Sequence, residues 1–508
     1  MSNLTFSAAA RAFCRDESGV GTVWAIAWLV LMFGIGGLAV DITSAFRAQT
    51  ALQSTADAAA LAGTIELPKK PGDTKQASID SAVNMAYKNM NLQEHGTVLM
   101  PWEVAVGDWD HANKTLTDWH GKYPTAVMVT TRRDRVNKNA VPVTFLRILS
   151  LVAPSFNSWN VYAQATAERF IPDCLTHSGM VARGVVDYQS NNNYQGELCI
   201  HSQDHVEVQH HNQYGNLVTV SMPDRNDLDG PGGFDLAGSD FSTNTYSDGT
   251  TLRERAVSLR LDPKMVDHVY NIIATLKNPA LDDLVDDRTD IIPYYLTHDA
   301  LGNEITPVVE TVTKAQWNAH QGWDYGLGSW ANIANGPRKI FHVTGCEGHK
   351  GGDKITIGST GAQKATAATP KVLANMGIVT ECIIDHTAFV YYANVVLASG
   401  WENGFLTNDN IKFSGDDILG LPDNCADGGG MFIASTQTVS SPAKLEMHGV
   451  QIVAMGDIQM AAKAQGLNGI HFQAGGMINV TSNEALGAFG CDGGIIPLIT
   501  ADYFRLVY

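Results

Sequence analysis

The stretch Val20 to Ile42, VGTVWAIAWLVLMFGIGGLAVDI, runs 21 residues without a charge until Asp41. That is the length a helix needs to cross a bilayer. Nineteen residues precede it and more than 450 follow, so the chain is expected to hold a large domain at one membrane face. The candidate anchor residues are Val20, Trp24, Trp28, Gly34, Gly36 and Asp41. Arg11 and Arg15 lie before the apolar run, and only Arg47 lies close behind it. The positive-inside rule then predicts a cytoplasmic leader over residues 1–19 and an exported body. A cleaved secretory signal is the competing reading. Against it, the run is longer than a signal core and helix-forming sequence resumes directly after it.

The helical pattern continues past Asp41. Phe46, Leu52, Ala56, Ala59, Ala60 and Leu61 recur near a period of 3.6, and Gln49, Gln53 and Asp57 share the opposite face. A single helix from about Gly21 to Ala62 would be roughly 60 Å long, half of it projecting beyond the lipid.

One cysteine, Cys14, precedes the apolar run, and six follow it: Cys174, Cys199, Cys346, Cys382, Cys425 and Cys491. An even number in an exported body fits up to three disulfides, with 15 possible pairings. Pairing of sequence neighbours would join Cys174 to Cys199, Cys346 to Cys382 and Cys425 to Cys491. Buried reduced thiols are the alternative. The net charge of −18 argues against nucleic acid or an anionic lipid surface as the main partner of the body, and no basic cluster contradicts this.

Residues 67–170 read as a small α+β module. It has an amphipathic helix near Asp73–Asn89 and strands at Trp102–Asp108, Thr115–Trp119, Ala126–Arg132 and Val161–Glu168. From 171 to 508 the texture is mainly β, with short apolar alternations broken by Gly, Asn and Asp, as in LEMHGVQIVAMGDIQM and GIHFQAGGMINVTS. This rhythm fits a solenoid or parallel β-helix, with an antiparallel sandwich as the alternative. A helical and irregular insertion is expected at about 262–370, beginning with MVDHVYNIIATLK and ALDDLVDDRTD. Its aromatic residues Trp317, Trp323, Tyr325 and Trp330 would form a contact surface for a glycan or protein, with core or lid packing as the equal alternative.

The string from Phe13 to Gly63 resembles the N-terminus of TadE/TadG-like proteins of the Flp (tight adherence, Tad) pilus-assembly system. The residues that carry the likeness are Arg15-Asp16-Glu17-Ser18-Gly19, Ala39-Val40-Asp41, Leu52-Gln53 and Asp57 to Gly63. The resemblance implies a pilin-like membrane helix over 20–66, other pilus components as partners and an inner-membrane location. Pilins of that system have a glutamate five residues after the processed glycine, and Trp24 holds that place here. The departure favours an anchored, non-enzymatic accessory component over a filament subunit.

Chemistry-bearing clusters are few. His201 and His205, followed by Glu207, would share one face of a strand and supply metal ligands. Asp224, Asp227 and Asp229 supply hard oxygen ligands in a turn, which would suit calcium. A solvated strand face explains the first better, since no zinc spacing such as H-E-x-x-H occurs, and ordinary turn chemistry explains the second equally well. The acidic run Asp282, Asp283, Asp286, Asp287 and Asp290 reads as a solvated face, and Cys346 between His342 and His349 as half of a disulfide. Paired carboxylates on a β-helix would suit a glycan-active enzyme, but no residues stand out as its acid and base.

Overall fold

The computed structural model describes residues 20–68, 73–119, 123–145, 147, 157–170, 172–176, 178–188, 191–228, 234–235, 241–279, 292–299, 301–319, 337–346, 353–358, 365–400, 409–422, 430–481, 485–487 and 502–507. The chain divides into two units, residues 1–170 with 502–508, and residues 171–501. This differs from the expected boundary at the C-terminus, where the last residues belong with the first unit.

The first unit is built on helix α1, Val20–Ile65. No proline interrupts it, and Thr43, Thr50, Thr55 and Thr64 turn their hydroxyls back onto the carbonyl four residues earlier. Its upper half buries Ala48, Leu52, Ala56, Ala59 and Ala60, a stripe at helical spacing. Helix α2, Lys75–Asn89, is capped by Thr74 and packs beside α1, with the Ser78 hydroxyl donating to the Gly63 carbonyl at 2.6 Å. A Cβ at Gly63 would press on the Ser78 carbonyl, Val127 and Ala82, so glycine allows this close crossing.

The sheet behind α1 contains β1 (Val104–Asp110), β2 (Thr115–Thr117), β3 (Ala126–Arg133), and, after the short pair β4 (Val141–Pro142) and β5 (Ser158–Trp159), β6 (Val161–Phe170). It is antiparallel in the order β2-β1-β3-β6, and the C-terminal strand Tyr503–Leu506 completes it on β6. Thr131 Oγ1 donates to the Leu52 carbonyl at 3.0 Å, Gln53 Nε2 to the Gln164 carbonyl at 3.0 Å and Thr64 Oγ1 to the Ala167 carbonyl at 3.2 Å. These bonds fix the projecting half of α1 to the module along its length.

The second unit is mainly β. Its first strands are β7 (Ser178–Ala182), β8 (Val186–Tyr188) and β9 (Asn193–Gln195). The next three, β10 (Leu198–Ser202), β11 (Val206–Val208) and β12 (Gln213–Tyr214), pair with them in the same order, parallel and in register. The set β13 (Thr219–Met222), β14 (Phe234–Asp235) and β15 (Thr245–Tyr246) then lies on β10 to β12, and β16 (Val257–Ser258) lies on β13. Tyr194, Tyr214 and Tyr246 stack at centroid distances of 5.2 and 5.3 Å as a result. All strand pairings described in this sheet are parallel, which excludes the antiparallel sandwich.

Helix α3, Val269–Lys277, follows, matching the expected MVDHVYNIIATLK segment. The acidic run at 282–290 lies outside the described residues. The expected irregular insertion is corrected from there on, because β17 (Val308–Thr313), β18 (Lys339–Thr344) and β19 (Lys354–Ile357) join the same sheet. Their alternation buries Ile340, Phe341, Val343, Ile355 and Ile357, a pattern hidden in the sequence by Gly- and Trp-rich neighbours. Helix α4, Lys314–Ala319, carries Trp317, which is buried edge-on to Phe341 and belongs to the core, not to a contact surface.

The remaining strands are β20 (Lys371–Thr380), β21 (Ile383–His386), β22 (Val390–Ser399), β23 (Asp409–Lys412), β24 (Ile418–Leu419), β25 (Met431–Ser435), β26 (Thr438–Ala454), β27 (Ile458–Ala474), β28 (Ile478–Thr481) and β29 (Ala485–Gly487). The last of these return to the first: β27, β28 and β29 pair in parallel with β7, β8 and β9. One buried row results, in the order Phe341, Ile378, Leu397, Ile433, Ile452, Phe472, Met180, Ile200, Val220, each opposite the next across a parallel pair. At about 4.8 Å per strand the row spans roughly 38 Å of continuous apolar core.

Candidate functional site

The apolar half of α1 is almost wholly exposed. Trp24 and Trp28 are 61% and 55% exposed, and every position from Gly21 to Gly36 faces outward. Val20 begins the helix. A Cβ at Gly34 or Gly36 would meet nothing within 4 Å. The helix is long and apolar enough to cross a membrane. Its apolar run from Gly21 to Val40 is about 30 Å long, close to the thickness of a bilayer core.

Gly37 and Asp41, one turn apart, end this exposed surface. Both are buried by the turn that follows β4. The Asp41 carboxylate accepts the backbone N–H of Thr144 at 2.8 Å and of Phe145 at 3.0 Å. A Cβ at Gly37 would lie 2.5 Å from Phe145 Cβ, so only glycine admits this contact. Asp41 thus acts as an acceptor for the module's backbone. Gly37, which sequence reasoning passed over, was legible as the one glycine one turn before that aspartate.

Two of the expected disulfides are present. Cys174 bonds Cys199 and Cys346 bonds Cys382, with Cα–Cα distances of 5.0 and 5.3 Å. Cys346 is therefore committed to structure. Cys425 and Cys491 lie outside the described residues.

The proposed histidine pair is not brought together as a site. His201 lies in β10, fully buried, where its Nε2 accepts the Leu261 N–H at 3.2 Å and its Nδ1 faces Ser221 Oγ at 2.8 Å. The Leu261 bond assigns the ring proton to Nδ1. Burial pushes its pKa down to about 4, so it is a neutral core imidazole. His205 sits in the turn after β10, with Nδ1 3.4 Å from Asp204. The turn breaks the strand between the two residues, so the period-2 argument does not apply.

Asp224 accepts the Asn226 N–H at 2.9 Å, and the carbonyls of Asp224 and Asp227 accept the N–H groups of Asp227 and Phe234. These are turn contacts; Asp229 lies outside the described residues. Among the described residues no group of three or more His, Cys, Asp or Glu side chains is arranged to hold a metal, calcium included.

Two surface features of the second unit bear on ligand chemistry. An open groove of about 440 Å³ runs over Lys412, Ser440, Gln459 and Asn479. These four side chains stand opposite one another in successive strands, and Asn479 donates to Asp187 in the next. A smaller hollow of about 110 Å³ is lined by Tyr391, Asp416, Asp417 and Glu446. Asp417 is sealed beneath it, accepting the Val390 N–H at 2.9 Å and the Ser414 N–H at 3.3 Å. Burial raises its carboxyl to about 8. Its two acceptor bonds make it a clasp between turns, and Glu446 is held by His448 Nε2 at 3.0 Å.

The geometry defines a chain with a long apolar N-terminal helix, a small module clasped to that helix, and a large parallel-sheet unit stapled by disulfides. Residues 179–323 and 348–491 match a domain of unknown function (DUF7867), more than half of the sequence, and the chain belongs to that family. Residues 19–66 match the family described as Putative Flp pilus-assembly TadE/G-like. That match covers α1, in agreement with the resemblance read from its motifs. Comparison with curated proteins and with solved structures gives no match.

Proposed function

We propose that the protein is a membrane-anchored, non-enzymatic accessory component of a Tad/Flp pilus-assembly system. The observation that carries this reading is the division of α1, whose TadE/G-like sequence is exposed and apolar below Asp41 and built into a folded module above it. A filament subunit of that system packs its lower helix against copies of itself through a glutamate near its start. Here Trp24 occupies the position where pilins have their glutamate, and Gly37 and Asp41 are already occupied by the protein's own turn.

In this reading the leader is cytoplasmic, α1 sits in the inner membrane, and both units are exported, where the disulfides persist. The second unit is a parallel β-helix: three strands recur per coil, and like residues stack from coil to coil. Such a rod offers a stiff surface to pilus components. The row Lys412, Ser440, Gln459 and Asn479 also favours contact with a surface glycan, since it presents one cation and three neutral hydrogen-bonding groups at regular spacing.

The test is deletion of residues 20–42 in the producing cell. The expected result is a protein released from the membrane fraction and a loss of pili or of surface attachment. Normal piliation by cells carrying only the released protein would overturn the assembly role.

A further inference from the structure

The first unit carries a second surface suited to the bilayer, and this inference rests on the reading of α1 as a membrane span. We propose that residues 143–145 and Arg147, together with the end of the β3 hairpin, lie in the headgroup zone of the same bilayer and bind anionic phospholipid there. The small module is then clamped onto the membrane and not raised on a bare stalk.

Depth is set by the clasp. Phe145 packs on Gly37, four residues and about 6 Å to the lipid side of Asp41 along the helix. The neighbouring helix positions Leu38 and Val40 are 41% and 51% exposed, and Phe145 is itself 51% exposed. Its ring therefore extends the outward apolar surface of the span. Phenylalanine at this depth gains by leaving water, whereas an aqueous setting would leave it uncovered.

The hairpin end lies toward the same end of the module. Val127 approaches Gly63 and Thr131 bonds the Leu52 carbonyl, so β3 descends as α1 rises. Beyond it come Arg135, whose guanidinium donates to the Ser158 hydroxyl at 3.0 Å, then Val136 and Lys138, all three exposed, with Val136 83% exposed. Arg147 is exposed two residues after Phe145. The acids nearby are already engaged: Asp134 is buried and accepts the Asn137 N–H, and Glu103 pairs with Arg132. An exposed apolar pair flanked by three exposed cations is the composition of an interfacial anchor, in a protein whose net charge is −18.

The test uses the full chain with Cys14→Ser, in nanodiscs of phosphatidylethanolamine and phosphatidylglycerol, with spin labels at Leu38→Cys, Phe145→Cys, Arg147→Cys and Ile65→Cys. The readout is the ratio of accessibility to oxygen and to a water-soluble nickel chelate, corrected for the parent without an added cysteine. The expected ratio at 145 lies within about twofold of that at 38 and at least about fivefold above that at 65, with 147 between them. Replacing phosphatidylglycerol by phosphatidylcholine should lower the ratios at 145 and 147 by about twofold or more and leave 38 unchanged. A lipid value at 38 with water values at both 145 and 147 overturns the second contact and leaves the anchor standing. A label at 145 shielded from both reagents marks a protein partner and also overturns it. A water value at 38 overturns the anchor itself.

Discussion

The backbone N–H of Thr144 donates to the Asp41 carboxylate at 2.8 Å, joining positions 103 residues apart. The Phe145 N–H donates to the same group. Replacing Asp41 by alanine removes the acceptor of two part-buried donors, which costs about 1 kcal/mol. Asp41→Asn keeps an acceptor and should lose less. Denaturant unfolding in detergent, followed by tryptophan fluorescence, should rank the proteins wild type, Asn, Ala; equal midpoints would refute the clasp.

Gly37 and its neighbours should separate cleanly. A side chain at Gly37 collides with Phe145 Cβ, while Gly34 and Gly36 face open space. Gly37→Leu should therefore speed tryptic cleavage between Arg132 and Arg147 by about tenfold, the equivalent of about 1.4 kcal/mol in local opening. Gly34→Leu and Gly36→Leu should cleave at the parent rate.

Two buried groups pull the pH dependence in opposite directions. Asp417 is raised by burial from 3.8 to about 8, so the fold favours its neutral form. Its contribution is complete below its unfolded value and is lost as pH rises toward 8. His201 is lowered by burial from 6.5 to about 4, and the fold again favours the neutral form. That contribution is complete above 6.5 and is lost as pH falls toward 4. Asp417→Asn should exceed the parent in stability by roughly 2 kcal/mol near pH 9 and should converge with it in acid. His201→Gln should flatten the acid limb alone. Thermal unfolding across the pH range reads both.

Non-reducing peptide mapping should recover Cys174 with Cys199 and Cys346 with Cys382. Cys425 linked to Cys491 is the expectation for the remaining pair. Breaking either of the first two by serine substitution should cost about 3 kcal/mol, given loops of 25 and 36 residues. Free thiols at these four positions in the exported protein would contradict the assignment.

Tyr214 is the middle ring of the tyrosine stack, and its buried hydroxyl has no hydrogen-bond partner among the described residues. Tyr214→Phe removes a desolvated group and keeps the ring. Unfolding should move by less than about 0.5 kcal/mol or toward higher stability. A large loss would mean that the hydroxyl is engaged after all.

Local signals carried the helices and many strands. The alanine-rich period after Asp41 predicted a single helix, and α1 runs from Val20 to Ile65. The strands of the small module fall within a few residues of their expected bounds. What stayed hidden depended on contacts distant in sequence. Asp41 looked like the polar end of a span, and its partners at 144 and 145 have no local signature. His201 and His205 fitted an alternating pattern until a turn broke the strand between them. The segment KIFHVT was masked by its glycine-rich surroundings, although its own alternation was present.

The pairing of β27 with β7 sets an order on synthesis. Residues 178–182 emerge almost 300 residues before 471–474, so one side of β7 must wait as an open, apolar edge while the intervening chain is made. Such an edge invites pairing with other chains. A truncation before residue 471 would leave it permanently unsealed and prone to aggregate. The second unit closes only when residues 471–474 have arrived, which makes this late pairing the final folding step of that sheet.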